Sequence, residues 1–213
     1  MSSGEADGHS AVRVPRWRHT RAAGGRWDTL MGRRFDKLLV LDIDETLLHA
    51  AREPLQRGAD FRIEQYHVYL RPGVREFLQR CLDWFEVGVW SSGTFDYAEA
   101  VMAELLGEVG KLAFLWARAR CTRRFDHERH EWYWVKDLKK LKRQGYRLES
   151  IIVVDDSEEK LERSYGNHVH IIPYRGQPDD QELFLLVKYL PTLGPVENVR
   201  AVEKRWWRTR VLA

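Results

Sequence analysis

Polar and apolar positions along this chain mark strands and helices in turn. Leu38–Leu41 is an unbroken apolar run, short and bounded by polar residues. Such a run predicts a strand buried on both faces. Phe85–Trp90 and Ile151–Val154 repeat the pattern, while Phe114–Trp116 and Val169–Ile172 are shorter strands. Tyr66–Leu70 alternates into the turn Arg71-Pro72-Gly73. Between the strands, Val74, Phe77, Leu78, Cys81 and Leu82 recur at helical spacing. A second helix is expected over Phe95–Leu106, stopping near Gly107. A basic amphipathic helix is expected over Lys136–Arg143, and a last one over Asp179–Leu190, ended by Pro191. Residues 49–66, with Pro54 and Gly58, are expected to be a loop with a short extended piece. Residues 117–134 alternate charge and aromatics without helical period, as an inserted β-hairpin would. Strands alternating with helices predict an α/β fold with a mostly parallel sheet covered on both faces.

Composition narrows the class without identifying it. The chain has 213 residues, 44% hydrophobic and 31% charged, which suits one sizeable core. No apolar stretch approaches the roughly 20 residues that span a bilayer, so no membrane partner is expected. The first residues lack the apolar core of a secretory signal, and Cys81 and Cys121 are the only cysteines; both point to a cytoplasmic protein with reduced thiols. The net charge of +3 is too mild to imply nucleic acid by itself. Its distribution is uneven. Residues 1–34 form a Gly- and Arg-rich arm with Trp17 and Trp27, expected to be flexible. Residues 35–195 carry the domain pattern, and residues 196–213 end in the basic, aromatic segment Lys204-Arg205-Trp206-Trp207-Arg208. The two basic ends leave room for a nucleic-acid contact; solubilising and docking roles are the plainer ones.

The chemistry gathers where three apolar strands end. The first ends in Asp42 and Asp44, with Thr46 two further on; the second ends in Ser91-Ser92; the third ends in Asp155-Asp156. Strand carboxyl ends of a parallel sheet share one edge, so these groups can meet there, with Lys136 opening a helix nearby. Paired carboxylates are expensive to bury without a cation between them. An all-oxygen donor set suits Mg²⁺ rather than zinc. A nucleophilic carboxylate, a second carboxylate for proton transfer, a hydroxyl and an ammonium are what phosphoryl transfer from a monoester requires. In that scheme Asp42 attacks phosphorus, Asp44 moves the proton, Ser91 donates to the transferring oxygens, and Asp156, with Asp155 beside it, completes a metal site and orients Lys136. Chemistry alone does not separate Ser91 from Ser92 as the phosphate-binding hydroxyl.

Asp42-Ile43-Asp44-Glu45-Thr46-Leu47, Trp90-Ser91-Ser92, Tyr133-Trp134-Val135-Lys136-Asp137-Leu138 and Val153-Val154-Asp155-Asp156-Ser157 occur in an order that resembles the haloacid dehalogenase superfamily. Within it, they resemble the small C-terminal-domain phosphatase branch. The resemblance covers about residues 35–190. It implies a three-layer Rossmann-like sandwich with no large cap and a small β-hairpin insert. It also implies Asp42 as nucleophile, Asp44 as acid and base, Ser91 rather than Ser92 as the hydroxyl of the second motif, and Lys136 as charge neutraliser. Mg²⁺ would be held by the Asp42 side chain, the Asp44 backbone carbonyl and Asp156, with Thr46 and Asp155 in support. Members of that branch remove phosphate from Ser/Thr of the RNA polymerase II tail. Ser91 stands where threonine is commoner.

The hairpin departs from the branch. Its Arg118, Arg120, Arg123, Arg124, Trp132 and Trp134 do not match the tail-binding pocket. Arg118, Arg120 and Trp134, with Ser92, are candidate contacts to an anionic substrate. A phosphoprotein Ser/Thr phosphatase is the leading expectation. A small-metabolite or nucleic-acid-end phosphatase of the same fold is the alternative, and a catalytically idle module that binds a phospholigand belongs to a different class.

Overall fold

The computed structural model describes residues 33–212. All of the arm expected over residues 1–34 except Arg33 and Arg34, and so both Trp17 and Trp27, lies outside the described residues. The described chain runs β1 (Leu38–Leu41), β2 (Leu48–Ala51), β3 (Phe61–Ile63), β4 (Tyr66–Leu70), α1 (Val74–Trp84), β5 (Glu86–Trp90), α2 (Phe95–Leu106), β6 (Phe114–Trp116), β7 (Thr122–Asp126), β8 (Glu131–Val135), α3 (Lys139–Arg143), β9 (Ile151–Asp155), β10 (His168–His170), α4 (Glu182–Leu193) and α5 (Trp207–Leu212).

Five strands form a parallel sheet in the order β10-β9-β1-β5-β6. Strand β1 is central because its alternation is apolar on both sides. Leu39 and Leu41 enter one core with the buried faces of α1, α2 and α4; Leu38 and Val40 enter a second with Leu138, Leu141, Ile151 and Val153. Each fully buried aliphatic contributes roughly 1.5–3 kcal/mol, so this strand cannot drift from its register. The chain leaves β1 toward β5 and β6 and later returns to β9 and β10 on the other side. The strand order therefore reverses at β1, and open α/β sheets form their crevices at such a point. The α/β architecture expected from the sequence is the one observed.

Three expectations need correction. Residues 49–66 are more than a loop: β2 and β3 flank β4 in an antiparallel sheet of three short strands. Their own pattern is weak, and pairing with β4 holds them extended. The helix expected from Lys136 begins only at Lys139: Lys136 continues from β8, with its N–H on the Lys160 carbonyl at 2.8 Å, and the Asp137 carboxylate sets the start by accepting the Lys139 N–H at 3.0 Å. The last helix is Glu182–Leu193, not Asp179–Leu190. Asp180 is occupied with Arg71 and accepts the Glu182 N–H at 3.0 Å, so the chain coils only after it. Beyond Pro191, burial of Leu193 keeps the backbone helical.

The C-terminal segment lies on the domain. Trp207 is fully buried, stacks on Tyr189 with ring centroids 5.3 Å apart, and donates Nε1–H to the His170 carbonyl at 2.9 Å. Arg208 pairs with Glu182. Among the described residues, no helix is long and apolar enough to cross a membrane.

Candidate active site

Asp42 is the first residue past β1, and its N–H donates to the Val154 carbonyl at 3.0 Å, so β9 fixes its height at the sheet edge. Glu45 then takes a left-handed backbone, φ 56°, which a side chain ordinarily disfavours. Neighbours hold that turn. The Tyr174 N–H donates to the Glu45 carbonyl at 2.8 Å, and Arg71 Nη1 donates to the Thr46 carbonyl at 3.1 Å. Arg71 is buried and also clasps both carboxylate oxygens of Asp180 at 2.8 Å. The loop bearing the two aspartates is thereby tied to the segment that precedes α4. Thr46 is buried beneath it.

Asp44 points away from the lysines. It accepts the Tyr97 hydroxyl at 2.6 Å and the Ser91 hydroxyl at 3.4 Å. Burial, reinforced by the negative charge of Asp42, pushes its pKa up to about 6. A carboxyl near neutrality can both give and take a proton at ordinary pH. Tyr97, on the first turn of α2, is itself pushed up by burial and by Asp44, so it remains a donor. Ser91 is buried at the end of β5; its oxygen accepts the Gly93 N–H at 2.8 Å. Ser92, the next residue, is partly exposed and offers its carbonyl to Arg118 Nε at 2.7 Å.

The other carboxylates surround two ammonium groups. Lys136 Nζ lies 2.8 Å from Asp42 Oδ1 and 2.6 Å from Asp155 Oδ2, with all three side chains buried. Lys160 Nζ lies 2.8 Å from Asp42 Oδ2, 3.4 Å from Asp155 Oδ1 and 3.5 Å from Asp156 Oδ1. Burial opposes the charge on Lys160, but Asp42, Asp155 and Asp156 together hold its pKa above the usual lysine range. Asp155 is likewise buried, and the two lysines outweigh that burial to hold it well below the usual carboxylate range. Asp156 is pushed up to about 6, chiefly by burial; Lys160 at 3.5 Å pulls it down, but Asp155 and Asp42 add to the upward push. Its loop is anchored from β10: the rings of His168 and His170 contact the carbonyls of Asp155 and Asp156 through Nε2, each at 2.9 Å.

Asp42, Asp155 and Asp156 can each offer one oxygen so that all three lie within 4.8 Å of one another. Hard oxygen donors at this spacing fit a divalent cation such as Mg²⁺. The charge balance agrees. Asp42, Asp155 and Asp156 surround only Lys136 and Lys160, and Asp44 adds a fourth carboxylate nearby, an excess of two. Among the described residues this is the one cluster of three or more acidic, His or Cys side chains so arranged; Cys121, His127 and His130 form none. The Asp44 carboxylate is outside the cluster, so any part it takes in metal binding falls to its backbone.

The sheet edge thus brings together Asp42, Asp44, Ser91, Lys136, Asp155 and Asp156. Lys136 arrives from the end of β8 rather than from a helix. Arg118, Arg120 and Trp134 stand on the rim: the Arg118 guanidinium lies 5.8 Å from the Trp134 ring centroid, and that of Arg120 lies 5.1 Å from Trp116. Sequence reasoning missed Lys160, Tyr97 and Arg71. Only Lys160 carried a signal, its position four residues beyond Asp156 in an acidic stretch.

Comparison with known proteins identifies the family. The family model described as NLI interacting factor-like phosphatase matches residues 37–200. A Dictyostelium discoideum protein named probable C-terminal domain small phosphatase is 34% identical over 78% of this chain and 53% of its own length. The human carboxy-terminal domain RNA polymerase II polypeptide A small phosphatase 1 is 31% identical over 78% of this chain and 63% of its own. The chain therefore spans between about half and two thirds of these relatives. In fold it is similar to the fission yeast RNA polymerase II CTD phosphatase Fcp1 solved with beryllium fluoride. That match has a TM-score of 0.51 and 18% identity, over 67% of this chain and 42% of the other. The chain belongs to the NLI interacting factor-like phosphatase family, in the haloacid dehalogenase superfamily.

Proposed function

We propose that this domain is a Mg²⁺-dependent phosphomonoester hydrolase that works through an aspartyl phosphate and acts on phosphorylated Ser/Thr in proteins. One observation carries the reading: a buried carboxylate, Asp42, is flanked by two ammonium groups, and two residues on stands a second carboxylate, Asp44, with a pKa near 6. A bound Mg²⁺ would supply positive charge against the phosphoryl oxygens, held by Asp42, Asp156 and the Asp44 backbone carbonyl.

The chain's own groups supply the rest. Lys136 and Lys160 lower the repulsion between Asp42 and an incoming phosphate dianion. An Asp42 oxygen forms a bond to phosphorus as the bond from phosphorus to the seryl or threonyl oxygen breaks. Asp44, protonated, gives its proton to that leaving oxygen. As a carboxylate it then takes a proton from water, which attacks the aspartyl phosphate at phosphorus, releases inorganic phosphate and restores Asp42. Tyr97 and Ser91 keep the Asp44 carboxyl aimed. The names of the relatives support the protein-substrate part of the proposal.

The test is hydrolysis of p-nitrophenyl phosphate with Mg²⁺ and with EDTA, by the native protein and by Asp42→Asn. Turnover that needs the metal and falls at least a thousandfold in the variant is expected, since loss of a nucleophile removes the covalent route. Undiminished turnover in a well-folded Asp42→Asn protein would refute the mechanism. Binding without turnover by the native protein would favour an idle phospholigand module.

A further inference from the structure

The hairpin formed by β7 and β8 has two unlike faces. Its register pairs Arg123 with Trp134 and Phe125 with Trp132 on one face, and Arg124 with Tyr133 on the other. On the second face the charges are answered from within the chain. Arg124 and the Tyr133 hydroxyl both reach Glu162, while at the hairpin turn Arg129 reaches Asp126 and Glu159. On the first face they are not. Arg123 lies over the Trp132 ring at 4.1 Å; just ahead of β7, Arg118 lies beside Trp134 of this face and Arg120 beside Trp116 of β6. Among the described residues no carboxylate forms an ion pair with any of these three arginines. Trp132 is 56% exposed, a large apolar area left in water.

This face runs into the site. Lys136 follows directly on β8, so Trp134 and Trp132 lie roughly 7 and 14 Å back from it along the strand. Arg118 binds the catalytic edge itself, through its N–H to the Gly93 carbonyl at 2.8 Å and its Nε to the Ser92 carbonyl at 2.7 Å. A phosphorylated side chain seated at Asp42 would leave the neighbouring residues of its own chain over these groups. Side chains on one side of an extended peptide recur every second residue, about 7 Å apart, the interval at which β8 presents its tryptophans.

We propose that this face docks an acidic stretch flanking the phosphorylated residue, so that the domain selects phosphoserine or phosphothreonine with Asp or Glu about two and four residues away. The arginines meet the carboxylates in their planar, two-pronged geometry, and the tryptophans hold the arginines flat and cover the peptide backbone. The inference rests on the phosphoprotein reading above. It differs from it in predicting sequence preference from charge that the fold leaves unanswered.

The experiment uses the full chain with Mg²⁺ and phosphoserine peptides of one length. Glu or Gln is placed at the second and fourth positions, on either side of the phosphoserine. A 5′-phosphorylated single-stranded oligonucleotide and p-nitrophenyl phosphate serve as comparisons. On one side, Glu is expected to raise kcat/KM on the order of tenfold over Gln, a gain that shrinks with added salt. In Arg123→Ala and Trp132→Ala, both at exposed positions, that ratio is expected to fall toward one. Equal turnover of Glu and Gln peptides overturns the inference and leaves the phosphoprotein reading standing. A ratio unchanged in both variants places the preference elsewhere and also overturns it. Turnover of p-nitrophenyl phosphate but of neither peptide overturns both. Faster turnover of the oligonucleotide than of any peptide overturns both and assigns the face to nucleic acid.

Discussion

The carboxylate pocket and the open hairpin face are both rich in cations, yet they treat charge in opposite ways. In the pocket each ammonium lies within 3.5 Å of two or three carboxylate oxygens and little of it meets water. On the open face Arg118, Arg120 and Arg123 rest against indole rings with no carboxylate partner among the described residues. Buried charge has to be paired within the chain, because desolvation without a partner costs several kcal/mol. Exposed charge carries no such obligation and is free to be answered by something that arrives. The first arrangement builds a fixed reaction centre. The second is suited to selecting what reaches it.

The sharpest way to break this contrast is to remove a buried cation. Arg71 pairs with Asp180 through both carboxylate oxygens and donates to the Thr46 and Ile172 carbonyls, with its side chain fully buried. Arg71→Leu strands Asp180 and frees the turn at Glu45, and is expected to cost about 3–5 kcal/mol. For a domain of this size that is a fall in Tm of roughly 10 °C, to be read in thermal or urea unfolding. A loss under about 1 kcal/mol would mean that the clasp holds nothing together.

Lys160→Met comes next. It leaves Asp42, Asp155 and Asp156 facing Lys136 alone, with Lys160 itself partly open to water. A loss of about 3 kcal/mol is expected without metal. Saturating Mg²⁺ should restore most of it, because the cation then answers the same three carboxylates. Scanning calorimetry of native and variant proteins, each with and without Mg²⁺, reads both effects. A variant as stable as the native protein without Mg²⁺ would show that the carboxylates do not need the ammonium.

How much of this was legible depends on sequence distance. The strand Leu38–Leu41 and the carboxylates just past it lie within a few residues of one another, so periodicity and charge expose them together. The same holds for Ile151–Val154 and Asp155-Asp156. Lys160 meets Asp42 across 118 positions and sits among Glu158, Glu159 and Glu162, where a lysine resembles any solvated charge. Arg71 meets Asp180 across 109 positions and stands in a turn where Pro72 and Gly73 already account for the local shape. Tyr97 looks like one more aromatic in an apolar helix. Pairings made only by the tertiary fold leave no local trace, and β2 and β3 were missed for the same reason. The helix expected to begin at Lys136 erred in the opposite direction: its local pattern is helical, but Lys136 continues from β8 and the helix starts only past Asp137.

A smaller effect concerns pH in the metal-free protein. Asp44 and Asp156 are raised from 3.8 to about 6, so between those values the folded state holds protons that the unfolded chain releases. Their contribution to stability therefore falls as pH rises from about 4 through 6. Asp155 is depressed, so its contribution is present above the usual carboxylate range and is lost as pH falls through and below it. Melting temperatures of the metal-free protein should decline across this window, from about pH 4 to 6, and Mg²⁺ should flatten that decline by stabilising the carboxylate forms. A metal-free profile that rises between pH 4 and 6.5 would contradict the assigned environments of Asp44 and Asp156.

The smallest effect tests the other half of the contrast. Arg123 is exposed, with its charge against the Trp132 face and no carboxylate partner. If that face serves a partner rather than the fold, Arg123→Ala should change stability by less than about 0.5 kcal/mol, the range of ordinary surface substitutions. Arg124→Ala, on the opposite face, loses its contact with Glu162 and with it some anchoring of the hairpin to the domain. It is expected to cost up to about 1 kcal/mol, since its partner is itself partly solvated. Urea unfolding of the two variants side by side separates them, and the ranking matters more than either number. Arg123→Ala proving the more destabilising would mean that the stacked arginines hold the hairpin together, and the division between a self-paired pocket and an unanswered rim would lose its physical basis.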